Sequence, residues 1–332
     1  MIISRTPFRI SFFGGGTDYP AWYEKNGGAV LSTTIDKYCY ITTRYFPPFF
    51  KHKHHLRWRL HEEANEVNAI QHPSVRESLR FLNIEKGIEM MYAGDLPSMS
   101  GVGSSSAFTV GFLNSLYALQ GKMVPKKQLA LDAIHVEQKL IGEHVGSQDQ
   151  TAAAFGGFNR IDFGGIEPIR VSPIIIPPAR LQLLQDQLML FFTGFSRNAS
   201  EIAAEQIKKT PERHNELTAM RSMVDKAVSI LSDDTVSLNE FGKLLDESWK
   251  IKRGLTSLIS NDHIDAIYAR ALNAGAVGGK LCGAGGGGFI LFFVPVEKKQ
   301  QVKEELKDLL HVPFTFENQG SQIVFNSPQD FV

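Results

Sequence analysis

The sequence predicts an α+β protein of two domains, with helices packed on a mostly antiparallel sheet. Its 332 residues are about twice the length of a typical domain of ~150 residues. Apolar residues alternate in several short segments, as in strands with one buried face, and the second half contains three long helical patterns. Pro173, Pro177 and Pro178 punctuate the junction between the halves. We therefore expect an N-terminal domain of residues 1–180 and a C-terminal domain of residues 181–332.

In the first half, a strand with alternating apolar residues runs to Phe12 and ends at three glycines, residues 14–16. The pattern predicts further strands at residues 29–35, 38–45 and 87–93. It also predicts helices at residues 107–119, 125–141 and 150–155. The first of these helices is apolar on nearly every side, so it should be buried.

The second half predicts a strand, three helices, a strand, a helix and a final hairpin. These elements are expected at residues 188–192, 212–231, 237–258, 262–274, 289–294, 297–310 and 314–325. The hairpin should turn at Gln319 and Gly320, because glycine favours tight turns.

Composition excludes several classes of protein. Lys plus Arg and Asp plus Glu number 35 each, whereas nucleic-acid-binding domains are usually strongly basic. The longest apolar runs are far shorter than the ~20 residues of a membrane span. The chain has only two cysteines, and its N-terminus lacks a signal-peptide pattern, so we expect a cytoplasmic protein. Its partners should be small molecules, and a homodimer is compatible with the sequence.

Glycine is concentrated at residues 14–16, 101–103 and 283–288. The third block matches the dinucleotide pattern G-x-G-x-x-G, but that motif opens a helix and here a strand follows. This block therefore does not indicate a dinucleotide-binding fold.

The second glycine block leads directly into the buried helix. Gly101 and Gly103 let the backbone approach an anion, and Ser104, Ser105 and Ser106 add hydroxyl donors before the helix. The N–H groups at a helix N-terminus favour phosphate. A helix cap would explain one serine. Two glycines followed by three serines favour a phosphate-binding loop.

Glu137 is a carboxylate on the apolar side of a helix. Counting about 100° per residue from Leu129, Glu137 falls at about 80°, inside an apolar arc of about 160°. Burying a carboxylate alone is costly, so Glu137 must be paired, hydrogen-bonded or bound to a metal. A buried ion pair and a Mg²⁺ ligand facing the glycine loop both satisfy this requirement.

Three further charged residues do not indicate a functional site when each is taken alone. Asp149 follows a loop and precedes a run of small residues, where it could equally be a helix cap. Arg9 lies late in the first strand and Asp18 in the glycine-rich turn after it. Alone, Arg9 and Asp18 read as surface charges.

Together these segments resemble the GHMP kinases, the superfamily of galactokinase, homoserine kinase, mevalonate kinase and phosphomevalonate kinase. The resemblance rests on three blocks in the family's order, residues 5–18, 97–107 and 280–289. The second block follows the family pattern P-x-x-x-G-L-G-S-S-A, with Val102 in place of leucine. The resemblance implies an N-terminal domain with a left-handed βαβ unit, a C-terminal ferredoxin-like domain, and ATP in the cleft between them.

The resemblance also implies roles for the matched residues. The ATP phosphate loop would comprise Pro97, Gly101, Val102, Gly103, Ser104, Ser105 and Ser106. Ser105 and Glu137 would bind Mg²⁺, Asp149 would be the catalytic aspartate, and Arg9 the basic residue beside it. The substrate would contact Gly15, Gly16, Thr17, Asp18, Gly283, Gly285 and Gly286.

The motif G-G-G-T-D at residues 14–18 of the first block is most similar to the corresponding motif of the D-glycero-D-manno-heptose 7-phosphate kinases. This branch implies transfer of the γ-phosphoryl group of ATP to the anomeric hydroxyl of the sugar phosphate, which gives the 1,7-bisphosphate. Open alternatives are a fucose- or galactose-type sugar 1-kinase, a relative of the mevalonate-pathway kinases and decarboxylases, and a non-catalytic paralogue that senses a sugar or nucleotide.

A basic segment at residues 51–59 is rich in lysine, arginine and histidine. Such runs are usually solvated surface. A sugar phosphate also needs cations at its far end. We therefore predict that Lys51, Lys53, Arg57 or Arg59 contributes to binding the phosphate of the substrate.

Overall fold

The computed structural model describes residues 1–194 and 199–327, and within them helices pack against two β-sheets. The α+β fold class is therefore confirmed. The strands are β1 Ile2–Phe13, β2 Gly28–Tyr45, β3 His54–Arg57, β4 His61–Ala64, β5 Ile88–Gly94, β6 Phe158–Phe163, β7 Ile169–Pro173, β8 Leu188–Gly194, β9 Gly278–Leu281, β10 Gly288–Phe293, β11 Leu310–His311, β12 Phe316–Glu317 and β13 Gln322–Asn326.

The helices are α1 Pro20–Asn26, α2 Pro73–Phe81, α3 Ser104–Leu119, α4 Lys126–His135, α5 Gln148–Phe155, α6 Pro178–Asp186, α7 Ala199–Lys209, α8 His214–Ser232, α9 Asn239–Arg253, α10 Asp262–Asn273 and α11 Lys299–Glu305. Among the described residues, every helix is too short or too polar to cross a bilayer.

The larger sheet has the strand order β13-β1-β2-β5-β3-β4. The long strand β2 also pairs with β6 and β12, and β7 pairs with β6. Among the strands that the structure describes, only β3 and β5 pair in parallel. The last eight residues of β1 are all buried, because α3, α8 and α9 pack against this strand. The end of β1 therefore enters the region where the two halves of the chain meet.

Helix α3 is buried on most of its sides, as its apolar sequence predicts. It lies against β1 and β2. Gly111 permits this close approach, since a Cβ atom there would lie 2.6 Å from the hydroxyl oxygen of Thr6. The helix is thus fixed to the sheet, and its N-terminus is held near the end of β1.

The smaller sheet has the antiparallel order β11-β8-β10-β9. A second hydrophobic core forms on it around Phe191, Trp249 and Phe292. Helix α9 packs along β9 and also contacts β1. This helix connects the two sheets at the site described below.

Three predicted helices differ from the observed ones. The helix expected at residues 125–141 is α4 followed by a π-helical turn, Val136–Ile141. The helix expected at residues 237–258 ends at Arg253, because Gly254 begins an irregular stretch. The helix expected at residues 297–310 is a 3₁₀ turn, Val296–Lys298, followed by α11, and residues 310–311 instead form the edge strand β11.

The predicted hairpin at residues 314–325 is wrong. Strand β12 pairs with β2, and β13 pairs with β1, so the two strands do not pair with each other. The link between them crosses the end of α5, where the Ser321 N–H donates to the Ala153 carbonyl at 2.8 Å. The last strands of the chain therefore belong to the larger sheet, although the N-terminal half forms most of it.

Candidate active site

A cavity of about 390 Å³ lies where the three glycine blocks meet. It is bordered by the turn after β1, the start of α3, the start of α5, and the loop after β9. Two of the blocks touch directly, since a Cβ atom on Gly283 would lie 2.4 Å from Cα of Gly101. Segments about 180 residues apart in the sequence thus form one cleft.

The loop before α3 presents an anion-binding helix terminus to this cleft. Gly103 occupies the N-cap position with a left-handed φ of 76° and offers no side chain to the first-turn N–H groups. These groups stay available to a phosphate. Gly101, Gly103, Ser104, Ser105 and Ser106 all line the cavity.

Two residues predicted for this loop point elsewhere. The Pro97 carbonyl accepts a hydrogen bond from the Ser100 hydroxyl at 2.6 Å. Val102 is fully buried, and its carbonyl accepts from the Arg9 backbone N–H at 3.0 Å. Neither residue lines the cavity, so they shape the loop and join it to β1.

Asp149 and Arg9 form a bidentate ion pair beside the loop. Arg9 Nε donates to Oδ1 of Asp149 at 2.8 Å, and Nη2 donates to Oδ2 at 2.7 Å. Arg9 Nη1 also donates to the Gly101 carbonyl at 2.6 Å. Arg9 is 5% exposed, whereas the Asp149 side chain is 25% exposed toward the cleft. The arginine therefore fixes the carboxylate and leaves part of it accessible to a substrate.

Asp18 is a second carboxylate in the cleft, and it is almost fully buried. Its Oδ1 accepts from the Gly16 N–H at 2.9 Å. Burial, with a smaller contribution from nearby Asp149, raises the pKa of Asp18. Gly146 makes room for this side chain, because a Cβ atom there would lie 1.8 Å from Oδ2.

The other residues predicted to contact substrate divide into two groups. Gly15, Gly16 and Gly283 line the cavity with Asp18. Thr17 does not, because its buried hydroxyl donates to the Gly14 and Ala29 carbonyls inside the turn. Gly285 and Gly286 pack against Ile259 and do not line the cavity either.

Glu137 is fully buried, as the helical pattern predicts, and lies in the π-helical turn. Its Oε2 accepts from the Ser106 hydroxyl at 2.8 Å and from the Gln150 side-chain amide. Burial raises the pKa of Glu137 to about 7. Within the described residues, Oε1 makes no hydrogen bond. A buried carboxylate oxygen without a donor is suited to a cation.

The Mg²⁺ ligands expected from the family pattern were Ser105 and Glu137. In the structure the Ser106 hydroxyl donates a hydrogen bond to Glu137, whereas the Ser105 side chain is exposed at the cleft. Consecutive helical residues point about 100° apart, so only one of the two serines can face Glu137. A carboxylate and serine hydroxyls beside a phosphate loop are the hard oxygen donors that Mg²⁺ takes, and these residues therefore fit the ion.

Two buried lysines complete the cleft, and sequence reasoning missed both as site residues. Lys252 Nζ donates to the Gly283 carbonyl, and Lys280 Nζ donates to the Phe12 carbonyl at 3.0 Å. Burial lowers the pKa of Lys252 to about 8 and that of Lys280 to about 7. Among the described residues, neither lysine forms a salt bridge with a carboxylate. Both side chains line the cavity, where an anion could pair with them.

The sequence did contain signals for both lysines. Lys252 follows Leu245, Ser248 and Trp249 at the spacing of one helix face, and all four residues are buried. Lys280 interrupts the buried strand β9. Lysine is almost never buried unless it is paired, so a lysine in an apolar pattern is informative.

The basic segment does not reach the cleft. Its residues form the loop before β3, the strand itself and the turn after it, at the edge of the sheet opposite β13. Lys51, Lys53, Arg57 and Arg59 are absent from the lining of the cavity. The lining of the cavity therefore gives no support to a role of these residues in binding a substrate phosphate, and that expectation stays a prediction.

Comparison with known proteins identifies the family. Residues 67–157 match the GHMP kinases N terminal domain, and residues 235–312 match the GHMP kinases C terminal domain, together about half of the chain. The chain belongs to the GHMP kinase family. It is accordingly a phosphotransferase with an alcohol group as acceptor, and GHMP kinases use ATP.

Individual relatives are similar over most of the chain. A D-glycero-α-D-manno-heptose 7-phosphate kinase from Campylobacter jejuni is 29% identical over 96% of this chain and 97% of its own length. A mevalonate kinase from Pyrococcus horikoshii is 27% identical over 72% of this chain and 69% of its own length. The crystal structure of a D-glycero-D-manno-heptose 1-phosphate kinase from Bacteroides thetaiotaomicron has a TM-score of 0.72 at 23% identity, covering 97% of this chain and 98% of its own, which confirms the GHMP kinase fold.

Proposed function

We propose that this GHMP kinase transfers the γ-phosphoryl group of ATP to the anomeric hydroxyl of D-glycero-D-manno-heptose 7-phosphate. The observation that carries the proposal is the Asp149–Arg9 pair, held beside an uncapped helix terminus and open to the cleft. Similarity to the Campylobacter heptose 7-phosphate kinase along nearly the whole chain supports this acceptor.

In the proposed reaction, the α3 N-terminus, Asp149 and Arg9 each have a separate role. The first-turn N–H groups of α3 hold the phosphates of ATP. The partly exposed Asp149 carboxylate orients the acceptor hydroxyl and takes its proton, while Arg9 stabilises that carboxylate as an anion. The acceptor oxygen then bonds to the γ-phosphorus as the bond to the bridging oxygen breaks, and ADP leaves. Such transfers depend mainly on positioning and charge neutralisation.

Glu137 and a serine of the α3 first turn would hold Mg²⁺ beside the phosphates. When bound, the ion would neutralise charge on the phosphate oxygens. The Gln150 amide and the Ser106 hydroxyl both donate to Oε2 of Glu137, and among the described residues Oε1 has no hydrogen-bond partner. This assignment rests on the orphaned oxygen.

The acceptor must fit a cleft that contains two carboxylates and two buried lysines. The Asp18 carboxylate, which is held by the Gly16 N–H, can accept hydrogen bonds from sugar hydroxyls. Lys252 and Lys280 can pair with a phosphate on the sugar. A neutral sugar would leave these two cations without a second anion, which favours a sugar phosphate over galactose and fucose. Mevalonate carries a carboxylate, so the charge argument does not separate it from a sugar phosphate, and similarity to the Campylobacter heptose 7-phosphate kinase along nearly the whole chain favours the sugar phosphate.

The first experiment is ADP release measured over a panel of acceptors. The panel contains the heptose 7-phosphate, galactose, fucose and mevalonate, and phosphorus NMR identifies the phosphorylated position. We expect turnover with the heptose 7-phosphate and a new anomeric phosphate signal. Turnover with galactose or fucose alone would redirect the proposal to another sugar 1-kinase. Nucleotide binding without turnover on any acceptor would favour the non-catalytic paralogue.

A further inference from the structure

The β3–β4 hairpin carries imidazoles and carboxylates that the cleft does not use. In its antiparallel register, His55 lies opposite Glu63, and Arg57 lies opposite His61. Side chains alternate along a strand, so His55, His61 and Glu63 project from one face. The opposite face is buried at Leu56. Register alone therefore brings these three side chains together on the outer surface of the hairpin.

Their donor atoms converge on a small volume. His55 Nε2 lies 2.6 Å from His61 Nε2, and His61 Nε2 lies 3.9 Å from Glu63 Oε1. One donor atom from each of the three residues lies within 4.8 Å of the others. This spacing is compatible with three ligands of one ion after small side-chain shifts.

A row of side chains across the sheet fixes the orientation of His55. Glu89 lies beside His55 on the parallel strand β5, and Arg44 lies beside Glu89 on β2. Glu89 Oε1 lies 3.0 Å from His55 Nδ1, and Glu89 Oε2 accepts from Arg44 Nε. A carboxylate on Nδ1 favours the tautomer with the proton there and leaves the Nε2 lone pair facing His61. Carboxylates hold metal-binding histidines in this way.

His52 adds a second support. Its Nε2 lies 3.0 Å from Oε2 of Glu63, the oxygen that does not face His61. His52, His55 and Glu63 border a cavity of about 370 Å³ that also contacts Phe46 and Phe50. This cavity shares no lining residue with the catalytic cleft. The cluster is therefore a separate site.

The geometry points to a Zn²⁺ site formed by His55, His61 and Glu63, with water as the fourth ligand. Two imidazole nitrogens and a carboxylate oxygen match the ligands and the tetrahedral number that zinc prefers, whereas Mg²⁺ prefers oxygen ligands alone. Glu89 and His52 are positioning residues. The ion joins β3 to β4 at the open edge of the sheet and stabilises the hairpin.

The test is calorimetric titration of Zn²⁺ into full-length protein that carries no histidine tag and has been stripped with a chelator. We expect about one equivalent to bind and to raise the melting temperature. Co²⁺ should give the visible absorption of a tetrahedral site. His61→Gln should lose both the binding and the thermal shift. His263→Gln changes an exposed histidine on α10 and is the matched control, so its binding should stay unchanged.

Glu89→Gln should weaken Zn²⁺ binding about 10–100-fold, because it alters only the support of His55. Circular dichroism without zinc checks that each variant is folded, and turnover with ATP and Mg²⁺ should stay unchanged in all of them. The proposal is overturned if the stripped wild-type protein binds no Zn²⁺. It is also overturned if the His55→Gln/His61→Gln double variant binds zinc with unchanged stoichiometry and affinity.

Discussion

The position and the exposure of the Asp149 carboxylate are set by the residues that surround it. Its carboxylate is fixed at both oxygens by Arg9, and Gly103 lies so close that a Cβ atom there would be 3.4 Å from Oδ2. The side chain is thus held at the phosphate loop and cannot turn away. Charge, position and partial exposure all follow from contacts with segments that are distant in the sequence.

Replacing this carboxylate tests its role as the base. Asp149→Asn should lower kcat about 10²–10⁴-fold, because the amide cannot accept the proton of the acceptor. Calorimetric binding of an ATP analogue should remain within a few-fold of wild type, because the loop amides are intact. Asp262→Asn, an exposed aspartate at the start of α10, is the control. Turnover of Asp149→Asn close to wild type would contradict the assignment.

Glu137 can be tested through the metal requirement. Glu137→Gln removes the negative charge and replaces one carboxylate oxygen with an amide group. The Mg²⁺ concentration that gives half-maximal velocity should therefore rise at least about tenfold. Velocity is measured against free Mg²⁺ at constant ATP, with Glu247→Gln, which changes an exposed carboxylate on α9, as the control. An unchanged Mg²⁺ requirement would mean that Glu137 is only structural.

The buried lysine Lys280 should make kcat/KM for the sugar phosphate depend on pH. Burial lowers its pKa to about 7, so in the free protein its ammonium group is present below pH 7 and is lost above it. An anion beside Lys280 favours the charged form, and binding at higher pH must supply the missing proton. The kcat/KM for the sugar phosphate should therefore fall as pH rises from 7 to 9.

In Lys280→Arg the guanidinium group stays charged from pH 7 to 9. The decrease in kcat/KM that begins near pH 7 in the wild type should therefore be absent from this variant. Lys243→Arg, an exposed lysine on α9, is the control and should keep the wild-type profile. Identical profiles for wild type and Lys280→Arg would show that Lys280 does not bind the acceptor. A change in KM for ATP alone would assign the lysine to the nucleotide.

At the scale of elements, local sequence patterns predicted where helices and strands form better than they predicted which strands pair with each other. The burial of α3, which is apolar on nearly every side, and the burial of Glu137 were predictable because both depend on the residue pattern along a helix. The pairing of β12 with β2 was not, because the two segments lie about 280 residues apart and the turn signal at Gln319 and Gly320 is local. The burial of Lys252 and Lys280 had a local signal, but their position at the cleft did not, because it depends on contacts between the two halves of the chain.

The loop between the π-helical turn and α5 should tolerate no side chain at Gly146. Gly146→Ala places a Cβ atom 1.8 Å from the Asp18 carboxylate oxygen, so Asp18 or the loop must shift. We expect a loss of about 1–3 kcal/mol in unfolding free energy and a higher KM for the sugar phosphate. Gly254→Ala is the control, since the φ of −80° at this position suits alanine and its Cβ atom would lie 3.3 Å from the Ile251 carbonyl oxygen. Wild-type stability in Gly146→Ala would contradict the packing seen here.

At the scale of the whole molecule, the larger sheet draws on both ends of the chain. A fragment of residues 1–180 lacks β12 and β13 and exposes the outer edge of β1. We expect it to be unfolded or aggregated by circular dichroism and gel filtration. Joining residues 313–327 to it through a flexible linker should restore a cooperative unfolding transition.

The control for this fragment carries Phe316→Asp and Ile323→Asp in the joined segment. Both side chains pack against the main core, so the charged variant should stay unfolded. A stable, monomeric fragment 1–180 without the added strands would show that β12 and β13 are dispensable. The position of the boundary near residue 180 would then describe two independently folding units.

The pairing of β1 with β13 also sets the order of events during synthesis. The ribosome makes β1 long before β13, so the edge of β1 that pairs with β13 stays open until β13 has been made. At about 5–20 residues per second, the roughly 150 residues between β7 and β13 take about 8–30 s to emerge. During that interval the nascent chain presents an open strand edge, which is a template for aggregation. The larger sheet is therefore completed late in synthesis, although its first strand is made early.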